Sequence, residues 1–318
     1  MRKKATAAAA AVAAIVTNPL PHPDNTHTTM ILIADSGATK ADWCLGNDAN
    51  DNRTWQTEGI NPFQLTEERI SEIICGKLLR QLPAGEAGRC TAVHFYGAGC
   101  LPTRSGFIAD RLQECFPQAA VSVCTDLLGA ARAACGTEAG IACILGTGSN
   151  SCLYDGQNIV KNTPPLGYVL GDEGSGAYLG KRFVADCLKG LLPATLGKGL
   201  FSEYGINTAD LLDKVYRQPA AGRFLASLVP YIHRHRHLPE VAAFLHDCFG
   251  EFFRRNVAGY GTHGLPVSFC GSVAWHFREE VEKAALEANL RVGKFVKSPI
   301  EGLKRYHFRP TPETNIHL

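Results

Sequence analysis

Residues 30–45 read MILIADSGATKADWCL, two apolar stretches joined by a turn that contains glycine, a hydroxyl residue and charged side chains. Residues 31–34 and 41–45 have the composition of β-strands, and the turn 35–40 is short enough to join them as a hairpin. A dinucleotide-binding fingerprint instead needs a glycine turn that opens a helix. The segment therefore predicts a glycine turn between two antiparallel strands and is a poor match to a dinucleotide-binding fingerprint.

A second strand, glycine turn and strand follow at residues 141–154. Between these segments, apolar patterns predict a strand at 54–58, a helix at 66–82 and then alternating strands and helices. The second half is richer in helical patterns, at residues 175–191, 208–216, 222–229, 239–260, 273–289 and 299–306, with strands at 267–270 and 291–296. Three strands followed by alternating helices and strands predict an α/β fold with a mixed sheet, and the similar openings predict a duplicated architecture.

Length and composition limit the class of protein. The chain has 318 residues, of which 45% are hydrophobic and 19% charged, with a formal net charge of +2. This balance is typical of a globular protein and gives no reason to expect nucleic acid or a membrane as a partner. The 12 cysteines include no Cys-x-x-Cys pair, which excludes zinc-ribbon and thioredoxin-like motifs and suits a reducing compartment.

The two ends of the chain fall outside the two predicted domains. Residues 1–29 have a basic start and an alanine-rich run, which is similar to a weak signal peptide; we favour a start assigned too early, with Met30 as the true first residue. The predicted domains are residues 30–135, completed by residues 299–308, and residues 136–298. Residues 309–318 are predicted to form a loose tail.

Two glycine turns are candidate phosphate sites, because glycine lets backbone N–H groups converge on an anion. The first contains Asp35, Gly37, Thr39 and Lys40, and the second contains Gly146, Thr147 and Gly148. A tight hairpin explains either turn alone, but their equivalent positions favour a shared function. A Walker loop is excluded at residues 190–199, where the glycine spacing is wrong and no Ser or Thr follows Lys198.

Three further segments carry candidate chemistry. Asp126 ends an apolar strand where a helix begins, so it is either a helix cap or a base that accepts a proton from a hydroxyl group. Residues 167–176, GYVLGDEGSG, contain two adjacent carboxylates, which is more than a capping turn requires. At residues 267–273 a buried strand bends at Gly271, beside Ser272, where a purine ring has room to approach the backbone.

In this order, the five segments resemble the BadF/BadG/BcrA/BcrD ATPase family and, within it, the N-acetylglucosamine kinases. The resemblance covers residues 30–307, and its most specific motifs are 146–150, GTGSN, and 171–175, GDEGS. It departs from the kinases at residues 36–38, where they have three glycines, and at Leu166, where they have tryptophan. Residues 298–303 also differ from the glycine- and alanine-rich closing helix of the vertebrate-like kinases.

The resemblance implies a two-domain actin/hexokinase-like, ribonuclease H-like ATPase fold, with duplicated mixed sheets and an interdomain cleft. It implies that Asp126 is the catalytic base and that Asp35 orients Mg²⁺ through water. ATP would be bound by Asp35, Gly37, Thr39, Lys40, Gly146, Thr147, Gly148, Gly271 and Ser272. The amino sugar would be bound by Asn61, Ser149, Asn150, Gly167 and Asp172.

The resemblance thus implies an ATP:sugar phosphotransferase that acts on N-acetylglucosamine, N-acetylmuramic acid or glucosamine, with ATP and Mg²⁺ as cofactors. Use of cytosolic ATP implies a cytoplasmic protein, and a homodimer stays open. Two alternatives belong to other classes: an ATPase that activates a 2-hydroxyacyl-CoA dehydratase, and a non-catalytic sugar-binding sensor. The histidine-rich run 233–237 is interpreted as a solvated basic patch rather than a metal site, because only His233 and His237 would share a helix face.

Overall fold

The structure is a computed structural model that describes residues 30–308 apart from residues 38, 49, 262 and 263. The chain divides into two compact units. Within the described part, the first comprises residues 30–137, 157–159 and 299–308, and the second comprises residues 138–156 and 160–298. The predicted leader and the predicted tail lie outside the described residues. The two strand–turn–strand segments therefore belong to different units.

The first unit contains a five-stranded sheet in the order β3-β2-β1-β4-β5. Its strands are β1 (Met30–Ser36), β2 (Lys40–Gly46), β3 (Asn52–Glu58), β4 (Cys90–Gly97) and β5 (Ala120–Thr125). β1 pairs antiparallel with β2 and parallel with β4, and β4 pairs parallel with β5. The C-terminal ends of β1, β4 and β5 therefore meet at one edge, where Ser36 is in register with Gly97 and Gly97 with Thr125.

The second unit repeats this topology. Its strands are β6 (Gly140–Leu145), β7 (Ser149–Tyr154), β8 (Ile159–Thr163), β9 (Pro266–Cys270) and β10 (Arg291–Val296). Their order is β10-β9-β6-β7-β8. β6 pairs antiparallel with β7 and parallel with β9, and β9 pairs parallel with β10. The two mixed sheets thus match strand for strand, which confirms the predicted duplication.

Helices occupy most of the segments between the strands. In chain order they are α1 (Glu67–Ser71), α2 (Leu79–Gln81), α3 (Glu86–Arg89), α4 (Gly106–Cys115), α5 (Asp126–Cys135), α6 (Gly167–Leu170), α7 (Gly176–Leu188), α8 (Ala194–Tyr204), α9 (Thr208–Tyr216), α10 (Ala221–Ala226), α11 (Val229–Arg234), α12 (Pro239–Phe252), α13 (Ser272–His276), α14 (Arg278–Glu287) and α15 (Pro299–His307). A π-helical segment, Glu72–Leu78, joins α1 to α2, and another, Phe253–Val257, extends α12. Among the described residues, no helix is long and apolar enough to cross a membrane.

Each sheet is packed against its own hydrophobic core. The core of the first unit combines strand residues such as Trp43 and Phe95 with Ile74 of the π-helical segment and Leu112 of α4. The core of the second unit combines β6 and β9 with α7, α12 and α14. The central strand β1 is buried at Leu32, Ile33 and Ala34, as expected of a strand covered on both faces. Each unit therefore positions the ends of its central strands rigidly.

Helix α5 begins directly after β5, and three close contacts fix its position. Thr125 is its N-cap, because the Leu128 amide donates to Thr125 Oγ1 over 3.3 Å. A Cβ atom at Gly129 would lie 2.8 Å from Cβ of Tyr96, so glycine lets α5 approach β4. On α15, a Cβ atom at Gly302 would lie 2.4 Å from the carbonyl oxygen of Ala133. Backbone contact with both a strand and the last helix therefore holds α5 in place.

A polar cluster beneath α5 and α15 adds hydrogen bonds to this packing. Arg132 Nη1 donates to Tyr96 Oη over 2.7 Å, and Tyr96 Oη shares a 2.9 Å hydrogen bond with His307 Nε2. The His307 ring stacks on the His94 ring with centroids 3.9 Å apart. His94 Nδ1 in turn shares a 2.8 Å hydrogen bond with Ser122 Oγ. The cluster links α5 and α15 to β4 and β5.

The structure differs from the sequence-based secondary structure in several places, among them strand β8, which was not predicted, and two helical segments. Helix α8 occupies residues 194–204, for which no helix was predicted, because Gly197 and Gly199 weaken the helical pattern there. The single helix predicted at 273–289 is two helices, α13 and α14, which meet at Phe277 with φ −105° and ψ 32°. Phe277 is fully buried, so the bend lies in the hydrophobic core of the second unit.

Candidate functional site

The first part of the site lies at the edge where β1, β4 and β5 end. Asp35 is the penultimate residue of β1, and Asp126 is the first residue after β5. Both side chains keep part of their surface exposed. Burial, together with the negative charges of Asp126 and Asp42, raises the pKa of Asp35 to about 7, against the opposing effect of Lys40. The two carboxyl groups therefore lie at the same edge of the sheet, and their negative charges repel each other.

Asp126 is not the cap of its helix. Thr125 fills that position, and the Asp126 carboxylate accepts a local hydrogen bond from the Leu127 amide to Oδ1 over 2.9 Å. Burial raises the pKa of Asp126 as well, while hydrogen bonds from the Leu127 and Asp126 amides oppose the rise. A carboxyl group with a raised pKa at the start of a helix is suited to accept a proton.

The first glycine turn is closed by the Gly37 amide, which donates to the Lys40 carbonyl oxygen over 3.0 Å. Gly37, Thr39 and Lys40 are exposed. The Lys40 ammonium group pairs with Asp42 at 2.8 Å, so Asp42 partly neutralises its positive charge within the unit. The turn therefore offers the Thr39 hydroxyl and backbone amides to a ligand.

Asn61 lies beside the same sheet edge. The Ser36 hydroxyl accepts from the Ile60 amide over 2.8 Å, which ties the segment before Asn61 to the end of β1. Asn61 Oδ1 accepts from the Phe63 amide over 2.9 Å. A Cβ atom at Gly99 would lie 2.5 Å from Asn61 Oδ1, so glycine is needed in the segment after β4. The sheet edge thus gathers Asp35, Asn61 and Asp126 within one unit.

A cavity of about 580 Å³ opens next to the Asn61 segment. Its walls come from α1, from α4 and from the segments that precede these helices, and include Pro62, Leu65, Arg104 and Phe107. The guanidinium carbon of Arg104 lies 4.6 Å from the centroid of the Phe63 ring, a cation–π contact. No sequence motif indicated this cavity, because its lining residues come from separate segments without a shared pattern.

The second glycine turn belongs to the second unit and is held by α7. The Gly176 amide donates to the Gly146 carbonyl oxygen over 2.8 Å, and the Ala177 amide donates to the Thr147 carbonyl oxygen over 3.0 Å. The turn itself closes through the Gly146 amide and the Gly148 carbonyl oxygen, 2.9 Å apart. The first amides of a helix thus fix the turn, and the Thr147 side chain is exposed beside it.

Asp172 approaches the same turn from the segment before α7. The Ser149 amide donates to Asp172 Oδ1 over 3.3 Å. A Cβ atom at Gly148 would lie 3.1 Å from Asp172 Oδ2, which explains the glycine. Burial raises the pKa of Asp172, the hydrogen bond from Ser149 opposes the rise, and the charge of Glu173 adds to it. The structure therefore brings Gly148, Ser149 and Asp172 together.

Ser149 stands out because its hydroxyl group is buried and has no hydrogen-bond partner among the described residues. Its side chain is only 5% exposed. A buried hydroxyl normally finds a partner, since leaving it unpaired costs about 1–3 kcal/mol. Asn150, by contrast, is used internally, because its Oδ1 accepts from the Ser151 amide and from Asn162 Nδ2, each over 2.9 Å.

The segment that carries Gly167 adopts unusual backbone angles. Leu166, Gly167 and Asp172 have φ values of 63°, 73° and 58°. A Cβ atom at Gly171 would lie 2.1 Å from the Pro165 carbonyl oxygen, so only glycine fits there. Left-handed angles at two non-glycine residues are costly and often occur at binding sites. Lys181 of α7 supports the segment, because its Nζ donates to the Tyr168 carbonyl oxygen over 2.6 Å.

Glu173 forms a buried contact within the second unit. Asn256 Nδ2 donates to Glu173 Oε2 over 3.1 Å, and Arg255 Nε lies 3.8 Å from Glu173 Oε1. Both partners belong to the π-helical segment Phe253–Val257. Glu173 therefore anchors that segment, a role that the sequence did not reveal.

A second cavity, of about 450 Å³, lies beside the second glycine turn. Its lining joins the turn to α7, α11 and α13 and includes Gly146, Thr147, His233, Ser272 and His276. Gly271 has φ 116°, and a Cβ atom there would lie 2.4 Å from the Leu145 carbonyl oxygen, so this position also requires glycine. The cavity is thus lined by Gly146 and Thr147 of the second turn and by Ser272, which directly follows Gly271.

The sequence did not predict that His233 and His276 would line this cavity. His233 Nε2 lies 3.0 Å from the His276 carbonyl oxygen, and α11 ends at Arg234, so the histidine-rich run leaves the helix at His235. Within the described part of the chain, no group of three or more His, Cys, Asp or Glu side chains could hold a metal ion. His233 therefore belongs to a cavity wall and to no described metal-ligating cluster.

Comparisons with known proteins identify similar structures. No protein-family model matches the chain, and no curated protein matches it. A candidate N-acetylglucosamine kinase from Porphyromonas gingivalis matches with 44% sequence identity and a TM-score of 0.84, covering 88% of this chain and 99% of that chain. A candidate N-acetylglucosamine kinase from Chromobacterium violaceum matches with 22% identity and a TM-score of 0.69, again covering 88% and 99%.

A regulator of the ROK family, a homologue of the E. coli MLC protein, matches with 10% identity and a TM-score of 0.51, covering 88% of this chain and 79% of that chain. The second and third matches show the fold alone, which is the actin/hexokinase-like ATPase fold with its repeated mixed sheets. The first match, with 44% sequence identity over 88% of this chain, also shows the family. The chain belongs to the same kinase-like ATPase family as the Porphyromonas gingivalis protein.

Proposed function

We propose that this protein is a kinase that transfers the γ-phosphoryl group of ATP to a hydroxyl group of an amino sugar, with N-acetylglucosamine as the first candidate. N-acetylmuramic acid and glucosamine are the alternative acceptors. The proposal places the chain among the N-acetylglucosamine kinases of the BadF/BadG/BcrA/BcrD ATPase family and, because it uses cytosolic ATP, in the cytoplasm. The observation that carries it is the position of Asp126, a partly exposed residue that directly follows β5 and does not serve as the N-cap of α5.

Asp126 acts in this proposal as the general base. Its raised pKa brings it nearer to neutral pH, where a base is most effective, and it would accept the proton of the sugar hydroxyl as that oxygen attacks phosphorus. Phosphoryl transfer needs little covalent help from the protein, so positioning and neutralisation of charge supply most of the rate. The base therefore orients the hydroxyl as well as deprotonating it.

Asp35 is proposed to orient Mg²⁺ through water. The raised pKa of Asp35 and its repulsion by Asp126 and Asp42 show negative charge that no described protein cation fully balances, which fits a divalent cation. The cation supplies neutralisation of phosphate charge when bound. Asp35 contributes one carboxylate only, so the remaining ligands would be phosphate oxygens and water.

The second glycine turn and its cavity are proposed to bind the nucleotide. Gly146, Thr147 and Gly148 offer backbone amides and a hydroxyl group to phosphates, and Gly271 and Ser272 border the space for adenosine. In the first unit, Gly37, Thr39 and Lys40 would serve the phosphates in the same way. The cavity volume of about 450 Å³ falls within the range of small-ligand sites.

The amino sugar is proposed to contact Asn61, Ser149, Asn150, Gly167 and Asp172. The unpartnered, buried Ser149 hydroxyl supports this assignment, because a ligand hydroxyl or amide would supply the missing hydrogen bond. Asp172 lies beside it, and its carboxylate would accept hydrogen bonds from sugar hydroxyl groups as it does from the Ser149 amide. The hydrogen bonds made by Asn150 show that it also shapes the turn itself.

The decisive experiment measures ADP release with Mg·ATP and a panel of amino sugars and hexoses, for the wild type and for Asp126→Asn. We expect release with an N-acetylated amino sugar and a loss of turnover of about 10²-fold or more in the variant, as for a missing general base. Asp110→Asn, which changes an exposed aspartate of α4, is the matched control. Near-normal turnover in a folded Asp126→Asn protein would refute the assignment of the base.

The same panel separates catalysis from sensing. A sugar-binding sensor would give a calorimetric binding signal with an amino sugar and no release of ADP above the background rate. A kinase gives both, and its ADP release depends on the acceptor. Wild-type protein that neither binds nor phosphorylates any amino sugar would overturn the proposed function.

A further inference from the structure

Two thiol groups of the first unit lie in direct contact. Sγ of Cys115 lies 2.7 Å from Sγ of Cys75. Cys75 belongs to the π-helical segment Glu72–Leu78, and Cys115 is the last residue of α4. The separation is well inside the contact distance of two nonbonded sulfur atoms and approaches the length of a disulfide bond, about 2.0 Å.

The two thiols are brought together by rigid elements. Ile73, Ile74 and Leu78 of the π-helical segment and Ile108 and Leu112 of α4 are buried in the same hydrophobic core. Packing of these side chains fixes the spacing of the two helices, because a close-packed core resists displacement. Cys75 and Cys115 are therefore held near each other by the fold.

Both side chains also keep part of their surface exposed. Other cysteines, such as Cys44, Cys90 and Cys143, are buried in strands. A small oxidant can therefore reach the Cys75–Cys115 pair, whereas the buried thiols are protected. Partial exposure together with contact between two thiols marks a site of selective oxidation.

We propose that Cys75 and Cys115 form a dithiol site that is converted reversibly to an intramolecular disulfide by a small-molecule disulfide. One thiolate attacks a sulfur atom of the oxidant, which forms a mixed disulfide and releases one thiol of the oxidant. The second protein thiolate then attacks the mixed disulfide and releases the other thiol. The two protein sulfurs are oxidised, the oxidant is reduced to two thiols, and the protein's two thiol protons are transferred to them.

The bond would join two walls of the cavity beside Asn61. The cavity is lined by Glu67 and Ile70 of α1 and by Phe107 and Ile108 of α4. Helix α1 continues directly into the π-helical segment that contains Cys75. A covalent link at the C-terminal end of α4 restricts how far these walls separate. The site therefore couples the redox state of the protein to the stiffness of that cavity.

The test treats the folded full-length chain with oxidised glutathione, alkylates the remaining thiols after denaturation and maps the tryptic peptides. Cys75 lies in peptide 70–77, and Cys115 lies in peptide 112–132 together with Cys124. We expect a linked pair of these peptides that a reductant separates. Because burial and the hydrogen bond with Cys75 raise the pKa of Cys115, the link should form faster in alkaline than in neutral buffer.

Three variants make the result decisive. Cys124→Ser should keep the link, which assigns the bond to Cys115, and Cys187→Ser, a change of a half-buried cysteine in the second unit, should also keep it. Cys75→Ser should abolish it and leave Cys115 as a mixed disulfide or an alkylated thiol. Wild-type protein in which both cysteines are alkylated, or both carry glutathione without a link, would overturn the proposal. The outcome does not depend on kinase activity, so it stands apart from the proposed function.

Discussion

Asp35 and Asp126 lie at the same edge of the first sheet, with β4 between their strands, and their charges repel each other. Burial raises the pKa of Asp35 to about 7, and the charge of Asp126 is the second cause of the rise. A raised pKa in the folded protein means that ionisation of the carboxyl group opposes folding. The stability that the protonated pair provides is lost as the pH rises from about 4 towards 7.

Asp126→Asn should therefore stabilise the protein at neutral pH while it lowers turnover. The neutral amide removes one charge of the pair, and we expect a gain of roughly 1 kcal/mol in the free energy of unfolding. The gain should shrink as the pH falls towards 4, because both carboxyl groups are then protonated in the wild type. Denaturant unfolding at several pH values measures it, and a variant less stable than the wild type at pH 7 would contradict the repulsion.

The pH dependence of catalysis should reflect the interaction between Asp35 and Asp126. The active base is the carboxylate, so activity falls as the pH drops through its pKa, and the raised pKa of Asp126 moves this decline above the usual range of an aspartate. Since the two groups interact, they titrate as a pair, and Asp35→Asn should shift the decline to lower pH. Profiles of kcat/KM against pH for the wild type and the variant test this. Identical profiles would show that Asp35 does not influence the base.

Replacement of Lys181 should weaken the binding of the sugar and leave the binding of the nucleotide unchanged. Its Nζ holds the Tyr168 carbonyl oxygen over 2.6 Å and thereby supports the segment with Gly167 and Asp172. We expect Lys181→Met to raise the KM for the sugar about tenfold, a cost of about 1.4 kcal/mol, with little change in the KM for ATP. Lys181→Arg should restore part of the loss. Lys189→Met, at an exposed position where α7 ends, is the control.

A proportional rise in both KM values would assign Lys181 to general stability instead. Hydrogen exchange provides a readout that needs no activity. The Gly171 amide, which donates to the Gly167 carbonyl oxygen over 2.8 Å, should exchange faster in Lys181→Met than in the wild type.

The buried histidines should make the protein sensitive to acid. Burial lowers the pKa of His94 to about 4, and burial together with His94 and Arg132 lowers that of His307 to about 2. Below pH 6.5 the unfolded chain takes up protons on these rings that the folded protein does not, so their contribution to stability is lost as the pH falls from 6.5 towards 4.

His94→Asn tests this contribution, because asparagine retains a group that can bond with Ser122. The wild type should lose stability on acidification more steeply than the variant, by about 1.4 kcal/mol per pH unit for one proton. Unfolding curves between pH 4 and pH 6.5 measure the two slopes. Exposed His246, paired with Glu287, supplies the control variant His246→Gln. Equal slopes for the wild type and His94→Asn would contradict a neutral, buried His94.

Gly302 should be essential for packing α15 on α5. Gly302→Ala places a methyl group 2.4 Å from the Ala133 carbonyl oxygen, and relief of that clash by moving the helices should cost about 1–3 kcal/mol. Gly250→Ala is the control, because a Cβ atom at that helical position meets no atom within 4 Å. Alanine there should stabilise α12 by up to about 1 kcal/mol. Thermal unfolding of the two variants should move in opposite directions.

The parts of the molecule that the sequence predicted are those with a local signal. β10 at residues 291–296 and α9 at residues 208–216 have the predicted bounds, because apolar periodicity and turn residues mark them. The duplicated sheets were predicted from two glycine turns after equivalent strands. The residues of the first glycine turn, and Asp172, were predicted as ligand-binding residues from their motifs. Their roles remain proposals.

The parts that the sequence missed depend on tertiary contacts. Lys181 supports a carbonyl group thirteen residues earlier in the chain, and Glu173 pairs with Asn256, so neither contact has a local pattern. The π-helical segments have no signal in a periodicity of 3.6 residues. Thr125 rather than Asp126 caps α5, a distinction that depends on side-chain geometry and that neighbouring residue types alone did not resolve.

The position of α15 affects how the polypeptide is made. The first unit needs residues 299–307, since Gly302 packs on Ala133 and His307 bonds to Tyr96. During synthesis, the ribosome completes residues 138–298 before it makes this last helix. A nascent chain halted before residue 299 therefore has α5 without its covering helix, and the first unit stays incomplete until the last helix has been made.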